Sequence, residues 1–245
     1  MAKHRLYIPN NLSANATLTL DAATIHYVLN VLRLRDNSDI EVFDGHGKSY
    51  SANLCIKGKR DAELVTSNEV FPSTESPLKI ELLQVLSRGE KMDWTIQKAV
   101  ELGVSSIRPL TSERCNVKLD AKRLQSRYQH WQGVINSACE QCGRNIVPKL
   151  KHLLDITELA NENIIASDHQ WLLHPEAEDS LTENKLAKIK SVGLLIGPEG
   201  GFSNNETHLL SQSGFKQKRF GPRILRTETA AIAAIAAIQS QWGDM

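Results

Sequence analysis

The spacing of hydrophobic and polar residues changes part of the way along the chain. Up to residue 72 the chain consists of short runs in which apolar and polar residues partly alternate, separated by turn residues such as those at 44–47. An alternation of period two is typical of half-buried β-strands. The predicted strands cover residues 16–20, 39–45, 48–56 and 61–70, with a short helix at 25–35. Residues 1–72 are therefore predicted to form a small β-rich barrel or sandwich, followed by a proline- and serine-containing linker at 72–77.

From residue 79 onwards, strands alternate with helices. Residues 79–87 form an apolar run, residues 91–102 repeat apolar positions at helical spacing up to Gly103, and residues 104–110 form a second apolar run. A strand, a helix and a returning strand make a βαβ unit with parallel strands. Further predicted segments are helices at 121–142 and 227–242, and strands at 164–167, around 171–173 and at 192–196. The pattern predicts an α/β domain over residues 73–245.

The last predicted helix has an unusual composition. Ile232, Ile235 and Ile238 recur every three residues on a background of alanines. Small alanine side chains allow a close approach between helices. This ridge therefore predicts packing, either within the domain or across a dimer.

Composition and charge limit the classes of protein to consider. With 41% hydrophobic and 23% charged residues, the 245-residue chain has the composition of an ordinary globular protein. No apolar run approaches the roughly 20 residues of a membrane-spanning helix, and the first residues lack the apolar core of a signal peptide. We therefore expect a cytoplasmic protein with no membrane partner. The net charge of +1 means that any nucleic-acid binding depends on local basic clusters.

The four cysteines predict neither a redox site nor a metal site. Cys139 and Cys142 form a CxxC motif, but it ends a predicted helix just before Gly143, where the helix dipole disfavours a thiolate. A zinc site needs further cysteine or histidine pairs at matching spacing, and the chain has none. We interpret these residues as buried or half-buried thiols and expect no metal.

A glycine-rich loop follows the strand predicted at 192–196. The sequence "IGPEGGF" at 196–202 leads into Ser203 and Glu206, which have the spacing of a capping box that starts a helix. A strand, a glycine loop and a helix form a common ligand site of α/β folds. The loop matches neither the dinucleotide nor the P-loop motif, and Glu199 would repel a phosphate. It is suited to a neutral or cationic ligand, unless it is only a tight turn with a solvated Glu199.

A second unusual segment changes this balance. The sequence "RFGPRILRTETAAIAAI" at 219–235 is a basic, proline-containing loop that leads directly into the alanine-rich helix. Together, "LLIGPEGGFSNNE" at 194–206 and "FGPRILRTETAAIAA" at 220–234 resemble the signatures of the bacterial 16S ribosomal RNA uridine-N3 methyltransferases of the SPOUT class. The resemblance extends to residues 31–47, 91–115 and 140–148, and thus to nearly the whole chain.

The resemblance implies a fold and a cofactor. It implies a PUA-like β-barrel that binds RNA at 1–72, and a SPOUT-type parallel-sheet domain with a deep trefoil knot at 73–245. The cofactor is S-adenosylmethionine, bound in the knot mainly by backbone groups of two loops. The implied cofactor-binding residues are Leu173, Leu195, Ile196, Gly197, Pro198, Gly200, Gly201, Phe220, Gly221, Ile224, Leu225 and Thr227. A sulfonium cation without phosphates also explains why Glu199 is tolerated in the glycine loop.

The implied reaction needs a base and a positive charge. Uridine N3 carries a proton that it must lose or share before it attacks the methyl group. Glu199 or Glu228 is predicted to accept the proton, and Arg226 to stabilise the negative charge that develops on the uracil oxygens. For Glu228 a second interpretation stays open, because a glutamate is favoured in the first turn of any helix.

RNA contacts are predicted at five basic residues. Arg33 and Arg35 lie two residues apart at the end of a predicted helix and suit phosphates. Arg144 either grips the RNA or forms a salt bridge at an interface. Arg88 and Lys91 complete the predicted set. The implied partner is 16S ribosomal RNA or the small ribosomal subunit, and the implied assembly is a homodimer.

Two functions from other classes remain open at this point. One is an RNA-binding protein without catalysis, although the two intact loops argue against it. The other is an α/β enzyme that acts on a small nucleotide or sugar phosphate. The sequence does not identify which uridine is modified, whether the substrate is naked RNA or an assembled subunit, or which residue takes the proton.

Overall fold

The computed structural model describes residues 4–70, 74–117, 120–161, 167–182 and 188–245. The chain divides into two compact units, the first comprising residues 1–75 with 139–147 and the second comprising residues 76–138 with 148–245. The sequence pattern did not indicate that residues 139–147 group with the first unit. The predicted boundary at residue 72 stays a prediction, since residues 71–73 lie outside the described part.

The first unit is built on a five-stranded sheet in the order β1-β3-β4-β5-β2. Its first strand pairs in parallel with the third, and the other pairs are antiparallel. The strands are β1 (His4–Tyr7), β2 (Thr17–Thr19), β3 (Asp39–Phe43), β4 (Ser49–Gly58) and β5 (Asp61–Glu69). The four strands predicted from the sequence are all present, and β1 was missed.

One helical stretch lies between β2 and β3, and its bounds differ from the predicted 25–35. Helix α1 covers Ala22–His26 and continues as a π-helical segment, Tyr27–Val31. The stretch starts early because Asp21 caps it, with the Thr24 N–H donating to Asp21 Oδ1 over 2.7 Å. It ends before Arg33, whose φ of 54° is incompatible with a continuing helix.

The core of the first unit follows the period-two pattern. Tyr50, Ala52 and Leu54 of β4 alternate with more exposed neighbours and are buried. They pack with Val28 of the π-helical segment and Ile40 of β3 in one hydrophobic cluster. One face of the sheet thus carries the core, as alternation predicts.

The second unit contains a parallel sheet in the order β12-β10-β11-β6-β7-β8, and β9 also pairs with β7. Its strands are β6 (Lys79–Val85), β7 (Ser106–Thr111), β8 (Lys149–Leu150), β9 (Leu154–Asp155), β10 (His169–Leu173), β11 (Ser191–Ile196) and β12 (Lys216–Lys218). Its helices are α2 (Glu90–Glu101), α3 (Ala121–Cys142, whose last turn groups with the first unit), α4 (Ile156–Asn161), α5 (Asn204–Gln212) and α6 (Thr227–Trp242). The predicted parallel α/β domain is confirmed.

The sequence prediction missed the shortest elements of this unit. Strands β8, β9 and β12 and helix α4 have two to six residues each, too few to establish a period. Of the strand predicted at 164–167, residues 164–166 lie outside the described residues, and Ser167 has no regular structure.

The isoleucine ridge of α6 belongs to the core of the chain. Ile235 and Ile238 are fully buried, and α6 contacts α2, β6 and β11. The side chain of Gln239 bonds to the Leu102 carbonyl over 2.9 Å and lies so close to Gly103 that a Cβ at that glycine would be 2.7 Å from it. Of the two predicted roles of the ridge, packing within the domain is confirmed for these two isoleucines.

Within the described residues no helix is long and apolar enough to span a membrane. In the same residues we find no group of three or more histidine, cysteine or acidic side chains that would hold a metal ion. All four cysteines are free thiols, and burial raises the pKa of Cys139 to about 12.

Candidate active site

The glycine-rich loop leaves the carboxyl end of β11, in the middle of the parallel sheet. Gly197 is in contact with the ring of Phe202, and a Cβ at position 197 would lie 2.7 Å from the Phe202 Cε2 atom. Only glycine fits under this ring without displacing it. The loop therefore folds back on itself, with Pro198 buried and residues 199–201 exposed.

The far end of this loop is fixed by the predicted capping box. The Ser203 side chain accepts from the Glu206 N–H over 3.3 Å, and Glu206 Oε2 accepts from the Ser203 N–H over 2.8 Å. The other oxygen of Glu206 accepts from the Glu113 N–H over 2.8 Å. The start of α5 is thus bound to the segment that follows β7.

The second loop, at 220–226, connects β12 to α6 and is tied to the first by one hydroxyl group. Thr227 Oγ1 donates to the Gly197 carbonyl over 2.7 Å and accepts from Gln84 Nε2 over 3.0 Å. Thr227 is buried, so these bonds are shielded from water. The two motifs that stand out in the sequence therefore meet in space.

Between the two loops lies a cavity of about 590 Å³. Eleven of the twelve predicted cofactor-binding residues line it: Leu173, Ile196, Gly197, Pro198, Gly200, Gly201, Phe220, Gly221, Ile224, Leu225 and Thr227. Leu195 is the exception, because its side chain is fully buried in the core with Leu83 and Leu110. The predicted catalytic residues Glu199 and Arg226 also line the cavity, whereas Glu228 does not.

The cavity wall also contains residues that the sequence analysis did not select. They are Arg114, His174, Pro175, Glu176, Phe202, Asn204, Arg223 and Ala230. Residues 174–176 directly follow β10, and Arg114 lies shortly after β7. Ligands of parallel sheets bind beyond the carboxyl ends of the strands, so this rule applied to β10 would have indicated residues 174–176.

Three charged side chains meet beside the cavity. Lys91, near the start of α2, lies with Nζ 3.2 Å from Glu199 Oε1 and 4.0 Å from Glu228 Oε2. Glu228 Oε2 is buried and accepts no hydrogen bond from the described residues. Lys91 was predicted to bind RNA, and the structure places it between the two carboxylates that were proposed as bases.

Two side chains of the second loop are exposed to solvent. Ile224 is 87% exposed although it is apolar, and Arg226 is exposed at the N-cap of α6. In the described part of the chain the Arg226 guanidinium has no hydrogen-bond partner. Both side chains are free to contact a molecule that enters the cavity.

The remaining predicted RNA-binding residues fall into two groups. Arg33, Arg35 and Arg88 have exposed side chains, and Arg33 and Arg35 have no ion-pair partner within the described residues. Arg144 is different: its side chain is only 5% exposed and pairs with Glu75, with Nη2 2.7 Å from Oε2. The salt bridge of Arg144 lies within the first unit rather than at an interface, and it buries the guanidinium. RNA binding by Arg144 stays a prediction.

Comparisons with known proteins agree with this arrangement. A model of the RNA methyltransferase domain matches residues 74–239, and a model of the RNA methyltransferase PUA domain matches residues 20–66. A ribosomal RNA small subunit methyltransferase E from Buchnera aphidicola subsp. Schizaphis graminum is 38% identical over 98% of this chain and 97% of its own length. The protein of the same name from Bacillus subtilis is 28% identical over 92% of this chain and 90% of its own length.

Solved structures point to the same family. The ribosomal RNA small subunit methyltransferase E of Neisseria gonorrhoeae, bound to S-adenosylmethionine, aligns with a TM-score of 0.91 and 39% identity over 100% of both chains. A Legionella pneumophila protein described as a methyltransferase, in complex with the same cofactor, aligns with a TM-score of 0.95 and 36% identity over 100% of both chains. Family models, full-length relatives and solved structures thus confirm the resemblance of the two loop motifs, and the chain belongs to the ribosomal RNA small subunit methyltransferase E family.

Proposed function

We propose that this protein transfers a methyl group from S-adenosylmethionine to N3 of a uridine in 16S ribosomal RNA. The observation that carries the proposal is the bond between Thr227 Oγ1 and the Gly197 carbonyl, because it brings both loop motifs around one cavity. The names of the relatives support ribosomal RNA as the substrate, and the cofactor bound by the solved relatives supports S-adenosylmethionine. The N3 position rests on the motif resemblance and on the chemistry of the cavity wall.

The residues of the cavity fit this cofactor. A volume of about 590 Å³ is in the usual range for sites that bind small organic molecules. Leu173, Ile196 and Leu225 offer apolar contacts to an adenine ring, while backbone groups of the loops are exposed beside them. Glu199 suits a sulfonium cation, and an arginine on the wall suits the carboxylate of the methionine part.

In the proposed reaction the side chains of the protein accept a proton and stabilise a negative charge. When bound, S-adenosylmethionine supplies a methyl group on a positively charged sulfur. The N3–H bond of uridine breaks as its proton passes to the Glu199 carboxylate. The N3–carbon bond then forms as the carbon–sulfur bond breaks, and the sulfur keeps that electron pair and becomes neutral. Glu199 is the better base of the two candidates, because it lines the cavity and Glu228 does not.

Arg226 and Lys91 act on charge around this transfer. The exposed Arg226 guanidinium stabilises the negative charge that develops on the uracil oxygens as N3 loses its proton. Lys91 holds Glu199 at the cavity through the 3.2 Å ion pair and faces Glu228 from the other side. Glu228 thereby acts on the reaction through Lys91 rather than by contact with the uridine.

Binding and product analysis test the proposal together. Equilibrium dialysis against S-adenosylmethionine, ATP and NAD separates a methyltransferase from an enzyme for small nucleotides, and only the first compound is expected to bind. At 100 times its dissociation constant it is expected to stabilise the fold by about 2.7 kcal/mol. Base mapping of 16S ribosomal RNA after incubation with the protein must then show one N3-methylated uridine. Binding of the cofactor without any methylated base would leave a non-catalytic RNA-binding protein.

The homodimer and the knot are part of the same proposal. The fully buried Ile235 and Ile238 and the nearly buried Trp131 are not available as an interface. We therefore expect a dimer to use exposed or half-buried apolar residues, such as Trp94 of α2 or Ile232 of α6. Sedimentation at micromolar concentration tests the dimer, and a monomer there would contradict it. The trefoil knot remains a prediction from the family resemblance.

A further inference from the structure

A second cavity, of about 270 Å³, lies where β6 ends and the chain turns into α2. One wall is the turn itself, with Ser87, Arg88 and Gly89. The opposite wall is formed by Arg127 and Trp131 of α3, one helical turn apart. Three separate segments contribute, since Asn116 after β7 completes the lining on a third side. Three segments of the second unit therefore form the cavity.

Two buried donors of this lining are unused. Trp131 is 3% exposed and Ser87 is 6% exposed, and neither the indole N–H nor the serine hydroxyl has a hydrogen-bond partner among the described residues. A buried donor without a partner destabilises the fold. The Trp131 ring is also fixed in place by an edge-on contact with Tyr128, at 5.8 Å between ring centroids. The unpaired indole donor is therefore held in a rigid arrangement, which is typical of a site that binds a ligand.

The charge and the donor chemistry of the lining select an anion. Arg88 and Arg127 contribute two positive charges, and no aspartate or glutamate occurs among the lining residues that the structure describes. Indole and guanidinium groups donate hydrogen bonds but accept none. Helix α2 adds its N-terminus, where Gly89 provides no side-chain cap. A phosphate, which only accepts hydrogen bonds, matches the two unused donors and the two guanidinium groups.

In two places, residues that are close in sequence lie at both cavities. Lys91, two residues after Gly89, pairs with Glu199 at the first cavity. Arg114, two residues before Asn116, lines the first cavity and donates to the Gly200 carbonyl over 3.1 Å. A ligand that is itself a chain, with an anionic group at each link, suits two cavities that continue each other in this way.

From these observations we infer that the second cavity binds a backbone phosphate of the RNA close to the uridine that enters the first cavity. This inference rests on the proposed function, because it takes ribosomal RNA as the substrate. Arg127 and Arg88 neutralise the phosphate, and the Trp131 and Ser87 donors bond to its oxygens. The subsite fixes the position of the RNA backbone and thereby the position of the target base.

The test uses ethylation interference on a 16S ribosomal RNA transcript. Ethylation removes the charge of single phosphates, and sequencing of the bound and free fractions reveals which phosphates are needed. The variant is Arg127→Gln, and the matched control is Arg123→Gln, an exposed arginine one turn earlier on α3 that pairs with Asp120 and does not line the cavity. A second variant, Trp131→Phe, removes the indole donor and keeps an aromatic ring. Its control is Trp242→Phe, at the end of α6 and outside the lining of both cavities.

We expect one ethylated phosphate near the methylated uridine to weaken binding of the wild type and of both controls but not of Arg127→Gln. The affinity of Arg127→Gln for unmodified RNA is expected to fall about tenfold, and its log–log salt slope to decrease by about 0.7–0.9. Trp131→Phe should show the same phosphate with weaker interference. Identical interference patterns for Arg127→Gln and Arg123→Gln would overturn the subsite.

The proposed function is judged separately in the same experiment. Cofactor binding by dialysis and the methylated uridine in the wild-type reaction report on it, and they can succeed while the subsite fails. Inorganic phosphate serves as a further probe. Should it bind with a dependence on Trp131 while no RNA phosphate depends on Arg127, the cavity would be a site for free phosphate and the RNA assignment would be wrong.

Discussion

The ion pairs of the first unit and those beside the large cavity of the second unit differ in how fully their polar atoms are bonded. Glu75 receives two nitrogens of Arg144, at 2.7 and 3.1 Å, and the Ile146 N–H at 3.0 Å. Lys91, in contrast, is 3.2 Å from Glu199 and 4.0 Å from Glu228, whose buried oxygen accepts no hydrogen bond from the described residues.

This difference separates groups that hold the fold from groups that act on a ligand. A buried charge with all its hydrogen bonds made inside the chain has no capacity left for a substrate. A charge that keeps unused capacity at a cavity weakens the fold slightly and is free to bind. The type of residue does not make the distinction, since Arg144 and Arg226 are both arginines that the sequence marks as candidates.

The largest expected effect is on stability, through the ion pair between Arg144 and Glu75. Arg144→Ala leaves Glu75 buried without its partner, and loss of one member of a buried pair costs about 3–5 kcal/mol. Urea unfolding measures this loss. Arg226→Ala is the matched variant and should change the free energy of unfolding by less than about 0.5 kcal/mol, because its side chain is exposed. Equal stabilities of the two variants would abolish the distinction.

At the cluster of Lys91, Glu199 and Glu228 the expected effect is on the rate of methylation. Glu199→Gln is expected to lower the single-turnover rate of methylation roughly a hundredfold, with stability unchanged. Raising the pH should restore part of the rate, since more uridine is then ionised at N3 without a base. Glu113→Gln, an exposed glutamate that does not line the cavity, is the control. An unchanged rate for Glu199→Gln across the pH range would remove this carboxylate from proton transfer.

Arg33 and Arg35 test whether exposed charges bind a ligand in the first unit as well. Both are exposed there, unlike Arg144, and we expect each to contact one phosphate. Their joint replacement by alanine should decrease the log–log salt slope of RNA binding by about 1.4–1.8, with no change in cofactor affinity by dialysis. A slope equal to that of the wild type would show that this surface does not touch RNA.

Lys91 distinguishes a positioning role from RNA binding. A half-exposed ion pair is worth up to about 1 kcal/mol, so Lys91→Met should lower the methylation rate about fivefold at saturating RNA, with RNA affinity intact. Lys98→Met, which breaks the half-exposed pair with Glu101 on the same helix, is the control. If RNA affinity fell and the saturated rate did not, Lys91 would be an RNA contact after all.

The smallest effect concerns Glu140, in the last turn of α3. Burial raises the pKa of this carboxyl group, although the Tyr7 N–H and the Tyr27 hydroxyl donate to it over 3.0 and 3.1 Å. A raised pKa means that the folded state favours the protonated form, so the stability contributed by Glu140 decreases as pH rises through that pKa. Glu140→Gln should flatten the pH dependence of the urea midpoint above pH 4.5. A curve that overlays that of the wild type would contradict this.

Local signals made part of the fold and site predictable. The period-two runs gave four strands of the first unit, and the serine and glutamate of the capping box gave the start of α5. The glycine loop and the alanine-rich helix identified the family and eleven residues of the cavity wall. Each of these signals lies within about fifteen consecutive residues.

The parts that escaped prediction depend on contacts between distant residues. Strand β1 is four residues long and exists through its pairing with β3. Lys91 reaches Glu199, 108 residues away, and Arg144 reaches Glu75, 69 residues away. A local interpretation of the sequence marks such residues as charged and selects no partner for them. Lys91 was therefore predicted to bind RNA, and Arg144 was left open between RNA binding and a salt bridge.

The hydrogen bond of the Thr227 hydroxyl has a consequence for folding during synthesis. Its bond to the Gly197 carbonyl joins residues 30 positions apart, and everything between them must be in place before the bond forms. During synthesis a ribosome has to release the start of α6 before the two loops can close on each other, although β11, which carries the first loop, emerges earlier. A nascent chain therefore gains this pocket only after Thr227 has left the ribosome, and shorter chains lack the bond that closes it.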